Sequence, residues 1–262
     1  MRKVFKLGIT ILLVFALAVS AFGCGQKPAE NQQGAADNNE PKVIKVATDA
    51  TYPPMEYVNE ETGELEGFDI DLGNALAEEM GVKFEFINTA WEGIIPSLLT
   101  GQVDMIMSSM TITEKRKKQV NFSDPYFNAG QIIAVKEGND SIKSKEDLVG
   151  KTVGSQIGTT GALLVSQMEG VTGKEYNTIG DAFRDLKSGR IDAVVNDLLV
   201  SKECIEEIGG GVVLVGEPLS DEFYGIAVRK DDTELLDQLN QAIKAVKENG
   251  KYDEIYNKWV NK

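Results

Sequence analysis

Arg116 and Asp197 are the side chains whose chemistry most narrowly limits what this chain can do. A guanidinium is a planar fork of donors that stays charged when desolvated and matches a carboxylate bidentately. Arg116 stands in the run Lys115-Arg116-Lys117-Lys118, so its context leaves two readings open: a carboxylate clamp, or one member of a solvated basic face. Thr113 is a suitable N-cap for the short helix that would carry it. Asp197 closes an apolar run that begins at Ile191, where a carboxylate can accept from an ammonium or cap the helix beginning near Leu198. Imidazole chemistry is excluded, because the 262 residues contain no histidine. Hydrolase mechanisms that use His as base or zinc ligand fall with it.

The elements that must hold these residues are legible from periodicity. Strands are expected at about 43–48, 82–87 and 103–107, with helices at 69–80 and 92–99 between them. A second series puts strands near 132–135, 152–155 and 191–195, with helices near 160–168 and 181–188. A strand at 224–228 and helices at 233–248 and 252–260 complete the chain, the alternation of an α/β fold with a largely parallel sheet. An internal echo suggests two facing units: Leu98-x-x-Gly101-x-Val103-Asp104 matches Leu186-x-x-Gly189-x-Ile191-Asp192. In each unit polar residues follow at the strand's carboxyl end, Ser108 and Ser109 in one, Asn196 and Asp197 in the other. Ligands of open α/β sheets bind outside those strand ends.

The amino terminus reads as an address. Arg2, Lys3 and Lys6 precede the apolar run 7–19 and then small residues, the parts of an export signal over 1–23. Ala21-Phe22-Gly23-Cys24 resembles a bacterial lipobox, which implies a lipid-modified Cys24. Residues 24–42 are rich in Gln, Asn, Ala and Gly, as a flexible tether would be. A formal net charge of −14 without clustered Lys and Arg argues against nucleic acid as a partner. Gly150-Lys151-Thr152 is no phosphate loop, since Lys145 stands where that motif needs glycine.

Several ordered motifs carry a family resemblance. Gly67-Phe68-Asp69-Ile70-Asp71-Leu72, Trp91-Glu92-Gly93-Ile94-Ile95-Pro96-Ser97-Leu98, Thr111-Ile112-Thr113-Glu114-Lys115-Arg116 and Phe122-Ser123-Asp124-Pro125-Tyr126 resemble the polar amino-acid solute-binding proteins of bacterial ABC importers. The likeness continues through Gly150-Lys151-Thr152-Val153-Gly154, Gly158-Thr159-Thr160 and Gly189-Arg190-Ile191-Asp192-Ala193-Val194. It implies a two-lobed α/β, periplasmic-binding-protein-like fold of type II with two hinge strands. Lobe one would span 43–130 plus 225–262 and lobe two 134–222, with crossings at about 131–134 and 223–226.

By that resemblance Arg116 clamps a ligand's α-carboxylate, helped by the turn of Ser108, Ser109 and Thr111, and Asp197 takes the α-ammonium from the other lobe. Tyr52 and Trp91 wall the side chain, Gln156 and Thr160 add contacts from lobe two, and Asp49 chooses among side chains. The partners implied are a free amino acid, basic by preference with glutamine or cystine as alternatives, an ABC permease, and a membrane reached through the lipid, the protein acting as a monomer without metal or cofactor. Two rival functions share the fold: a dehydratase acting on cyclohexadienyl amino acids, with Glu56 or Asp49 as acid, and a ligand sensor for a membrane partner.

Overall fold

The computed structural model describes residues 41–261; the export signal and Cys24, and all but the last two residues of the tether, lie outside the described residues. The described chain runs β1 (Val43–Thr48), a small meander of β2 (Thr51–Tyr52), β3 (Glu56–Val58) and β4 (Leu65–Glu66), then α1 (Phe68–Met80), β5 (Lys83–Asn88), α2 (Trp91–Leu99), β6 (Met105–Ile106), α3 (Glu114–Lys117) and β7 (Asn121–Phe122). It continues through β8 (Phe127–Ala129), β9 (Gln131–Lys136), β10 (Thr152–Gln156), α4 (Thr160–Ser166), β11 (Thr172–Tyr176), α5 (Ile179–Ser188), β12 (Ala193–Asp197), α6 (Leu198–Glu207) and β13 (Val212–Val215). It closes with β14 (Glu222–Tyr224), β15 (Ala227–Val228), α7 (Thr233–Glu248) and α8 (Lys251–Trp259).

Two five-stranded sheets result, ordered β5-β1-β6-β15-β7 and β11-β10-β12-β9-β13. In each, the strands that follow the helical crossovers pair in parallel, β1 with β5 and β6, and β10 with β11 and β12. The chain passes between the sheets through β8 and β14, which pair with one another antiparallel. That ribbon lies just before the crossing expected at 131–134, because Gln131–Lys136 already belongs to the second sheet, and it overlaps the one expected at 223–226.

The internal echo is a structural equivalence. Gly101 and Gly189 both take left-handed backbone, φ 74° and 77°, which ends each helix and turns the chain into the next strand. Asp104 then accepts the Lys45 N–H at 2.9 Å, and Asp192 accepts the Thr152 N–H at 2.8 Å. Each aspartate so ties the entry to its strand to the neighbouring parallel strand of its own sheet, β1 or β10. The carboxyl ends of β1, β6, β10 and β12 are thereby held in register, and they bear the polar residues of both units.

Aromatic packing seals the first sheet. Phe68 lies 6.4 Å from Tyr126 in a stacked arrangement and meets Phe127, Tyr252 and Tyr256 edge-on. This cluster locks α8 and the crossing strand β8 onto the start of α1. Gly67 makes that start achievable: its φ is 134°, and any Cβ there would overlap the Met55 carbonyl.

Candidate functional site

The polar strand ends of the two sheets converge on one cavity, lined by residues of both. All ten expected site residues line it: Asp49, Tyr52, Trp91, Ser108, Ser109, Thr111, Arg116, Gln156, Thr160 and Asp197. Sequence reasoning did not include Glu56, Gln131, Thr159 and Asn196 among them, and the cavity adds these four.

Arg116 reaches the cavity because Thr113 caps α3, its hydroxyl accepting the Arg116 N–H at 3.1 Å. The side chain is buried, which removes the solvated-face alternative. Its Nη1 donates to the Thr111 carbonyl at 2.8 Å and its Nη2 to the Gly158 carbonyl at 3.3 Å, while the guanidinium carbon sits 5.1 Å from the Trp91 ring centroid. Burial lowers its pKa to about 10, against the opposing pull of Glu222 and Asp197. Among the described residues no carboxylate lies within ion-pair distance of it. A buried guanidinium held by carbonyls and an indole face is a strong anion receptor.

Asp197 stands at the N-cap position of α6, yet its side chain makes no capping bond. Its Oδ2 instead accepts the hydroxyls of Tyr52 and Tyr224, each at 2.6 Å, and its Oδ1 accepts Nε2 of Gln131. Burial raises its pKa to about 6, partly offset by the two tyrosine hydroxyls. The carboxylate is thus held by groups of the meander, the crossing ribbon and the second sheet. Tyr52, expected as a wall, also turns its hydroxyl to Asn196 at 2.8 Å.

Asp49 receives Thr51 Oγ1 at 3.0 Å and Gln156 Nε2 at 2.9 Å, so it too is met from the opposite sheet. Burial pushes its pKa up, and those two hydrogen bonds oppose the shift.

Under these groups lies a buried acid pair. Ser108 and Ser109 donate to the two oxygens of Glu56 at 3.0 and 2.9 Å. Asp69 accepts the Ser109 N–H and the Tyr126 hydroxyl, both at 2.8 Å. Burial first, and the charge of Asp69 second, push Glu56 well above the usual carboxylate range, while burial takes Asp69 to about 7. The pair fixes Ser109 in left-handed backbone, φ 46°, a conformation that a serine holds only when its surroundings over-determine it. The titratable lining is thus Asp49, Glu56 and Asp197 against the single guanidinium of Arg116.

A buried guanidinium and a buried carboxylate thus line the same cavity, together with polar strand ends of both sheets. Residues 44–262 match the model of the bacterial extracellular solute-binding proteins, family 3, and the chain belongs to that family. It is 39% identical over 230 residues to the L-arginine-binding protein of Pseudomonas aeruginosa, covering 84% of this chain and 88% of that one. It is 35% identical over 274 residues to the ABC transporter glutamine-binding protein of Bacillus subtilis, covering 99% and 98%. Among solved structures, an ancestral arginine-binding protein bound to arginine superposes with a TM-score of 0.80 at 50% identity, covering 83% of this chain and 98% of that one. The two-lobed, periplasmic-binding-protein-like fold expected from the sequence is the fold observed.

Proposed function

We propose that this protein captures a free amino acid, basic by preference, between lobes 43–130 plus 225–262 and 134–222, and delivers it to an ABC permease. The observation that carries the reading is the pairing, across one cavity, of a buried Asp197 with a buried Arg116 that has no carboxylate at ion-pair distance among the described residues. Arg116 takes the α-carboxylate and Asp197 the α-ammonium. Each lobe alone satisfies one charge, so the ligand stabilises the closed state in particular. Trp91 and Tyr52 flank the side chain, Ser108, Ser109 and Thr111 line the first-lobe wall of the cavity, and Gln156 and Thr160 complete the contacts from the second lobe.

The preference for a cation follows from charge. Carboxyl groups outnumber the guanidinium in the lining, and a basic side chain beside Asp49 offsets that excess where a neutral one does not. Arginine and glutamine are named for the two relatives above, which agrees with a carboxylate that can accept from a guanidinium or an amide. The protein works as an extracytoplasmic monomer held to the membrane by lipid on Cys24, and performs no catalysis.

A thermal-shift screen of the folded region against the twenty amino acids tests this, since selective binding to the native state raises the midpoint. Arginine or lysine is expected to give the largest rise. A screen in which no amino acid moves the midpoint overturns the reading.

A further inference from the structure

We propose that Glu222 is a positioning residue that fixes the polarity of two cavity hydroxyls, so that Thr111 and Thr160 present lone pairs and not protons to the bound molecule. The inference rests on the amino-acid reading above. Glu222 opens β14 in the crossing ribbon, is nearly buried, and lies outside the cavity wall. Its Oε2 receives the Thr111 hydroxyl at 2.9 Å and the Thr160 hydroxyl at 2.7 Å, one from each lobe. The Ser220 hydroxyl donates to Oε1 of Glu222 at 2.8 Å.

A carboxylate can only accept, and a hydroxyl carries a single proton. Once those protons are committed to Glu222, the cavity side of each threonine oxygen can act only as acceptor. Gln131 already uses Thr160 in this sense, its Nε2 donating to Oγ1 at 3.3 Å, and the same nitrogen donates to Asp197. Thr111 in turn receives Arg116 on its carbonyl. A hydrogen-bonded path therefore runs from Arg116 through Thr111, Glu222, Thr160 and Gln131 to Asp197.

The consequence is directional. The two hydroxyl oxygens join Asp197 as acceptors for an ammonium, while Arg116 remains the charged donor for a carboxylate. A ligand bound the wrong way round would set its carboxylate against three acceptors. Glu222, without touching the ligand, sets which end goes where. The hydroxyls of Thr111 and Thr160 thus belong to the ammonium end, and the carboxylate is left to Arg116 and backbone N–H groups.

The test is calorimetric titration of wild type and Glu222→Gln with L-arginine and with 5-guanidinopentanoate, which lacks only the α-amino group. The amide of Glu222→Gln can donate, which frees a threonine proton to face the ammonium. Binding of L-arginine is expected to weaken about tenfold or more, and that of the des-amino acid by less than about twofold. Equal weakening of both, or no weakening of either, overturns the proposal. Wild-type protein that binds no amino acid would instead sink the functional reading. A ligand-free arm then still decides the polarity: urea unfolding of Glu222→Gln combined with Thr111→Val and Thr160→Val should give non-additive losses, and additive losses refute the coupling.

Discussion

The hydroxyl of Tyr52, on the small meander of the first lobe, donates to Oδ2 of Asp197, on the second, at 2.6 Å. This bond spans the cleft and occupies the carboxylate that the ammonium would claim. Tyr52→Phe leaves Asp197 with Tyr224 and Gln131 and removes this interlobe bond, while Gln156 on Asp49 and Arg116 on the Gly158 carbonyl remain. The unliganded protein should then open, with a larger radius of gyration in small-angle scattering. Its stability should drop by about 1 kcal/mol in urea. An unchanged scattering profile would refute the link.

Arg116→Ala removes a buried charge with no ion-pair partner among the described residues, so the unliganded fold should lose little stability. Binding should fall beyond detection, because the carboxylate is left desolvated against neutral groups, a cost of about 3–5 kcal/mol. Arg116→Lys should not rescue it, since a point charge cannot reproduce the fork. Retained binding of L-arginine by either variant in calorimetry counts against the clamp.

The pH dependence carries two opposite signs. Asp197 and Asp69 have native pKa values raised to about 6 and about 7, against about 3.9 in an unfolded chain. Between pH 4 and 7 the unfolded chain therefore ionises first while the native state keeps these protons. Their contribution to unliganded stability is fully present below about pH 4 and is lost as pH rises through 6 and 7. Ligand binding runs the other way: the ammonium needs ionised Asp197, so affinity should fall up to tenfold per pH unit below about 6. Urea midpoints and calorimetry from pH 4.5 to 7.5 read both. Affinity that stays flat down to pH 5 would remove Asp197 from the ammonium site.

Asp49 should govern selectivity and not affinity in general. In Asp49→Asn the charge is lost while Thr51 and Gln156 keep a partner. Binding of L-arginine should weaken about tenfold to a hundredfold, with L-glutamine changing less than about threefold. Parallel titrations decide it, and equal losses for both amino acids would refute the assignment.

The matched aspartates of the echo should act on stability alone. Asp104→Asn and Asp192→Asn each remove the carboxylate that takes a strand N–H, at a cost of about 1 kcal/mol or slightly more. Because the two sit in different sheets, the losses should add, and the selectivity among amino acids should not move. A strongly non-additive double variant would show that the sheets are coupled through these groups.

The long elements were legible because their ends carry local physics. Gly81 and Gly189 take left-handed backbone as the C-caps of α1 and α5, Gly101 takes it just after the Thr100 C-cap of α2, and Thr233–Glu248 spans the expected helix end to end. The expected strand at 224–228 breaks into β14 and β15, since Gly225 and Ile226 lie where the chain leaves the crossing ribbon for the first sheet. The strand expected at 103–107 is regular only over Met105–Ile106, the centre of the first sheet, where it pairs with β1 on one side and β15 on the other. Polar β11 was not foreseen, because an exposed edge strand shows no alternation of apolar residues. Within the site, charged and aromatic residues could be anticipated from their motifs. Glu222 and Gln131 could not: a lone polar residue near a crossing carries no periodic signal, and its meaning depends on which distant hydroxyls the fold brings to it. Glu56 was visible as an acid, but only its burial against Asp69 shows that it supports two serines.

Tyr52 on Asp197, Gln156 on Asp49 and the Gly158 carbonyl on Arg116 together mean that the cleft is its own first ligand. An incoming amino acid does not meet bare charges. It displaces protein groups one for one, and the bonds it breaks set a threshold that it must exceed at both ends and along its side chain. On the proposed reading a molecule too short to replace all three, such as glycine, is expected to bind more weakly without any clash, because it leaves bonds of the empty cleft unreplaced.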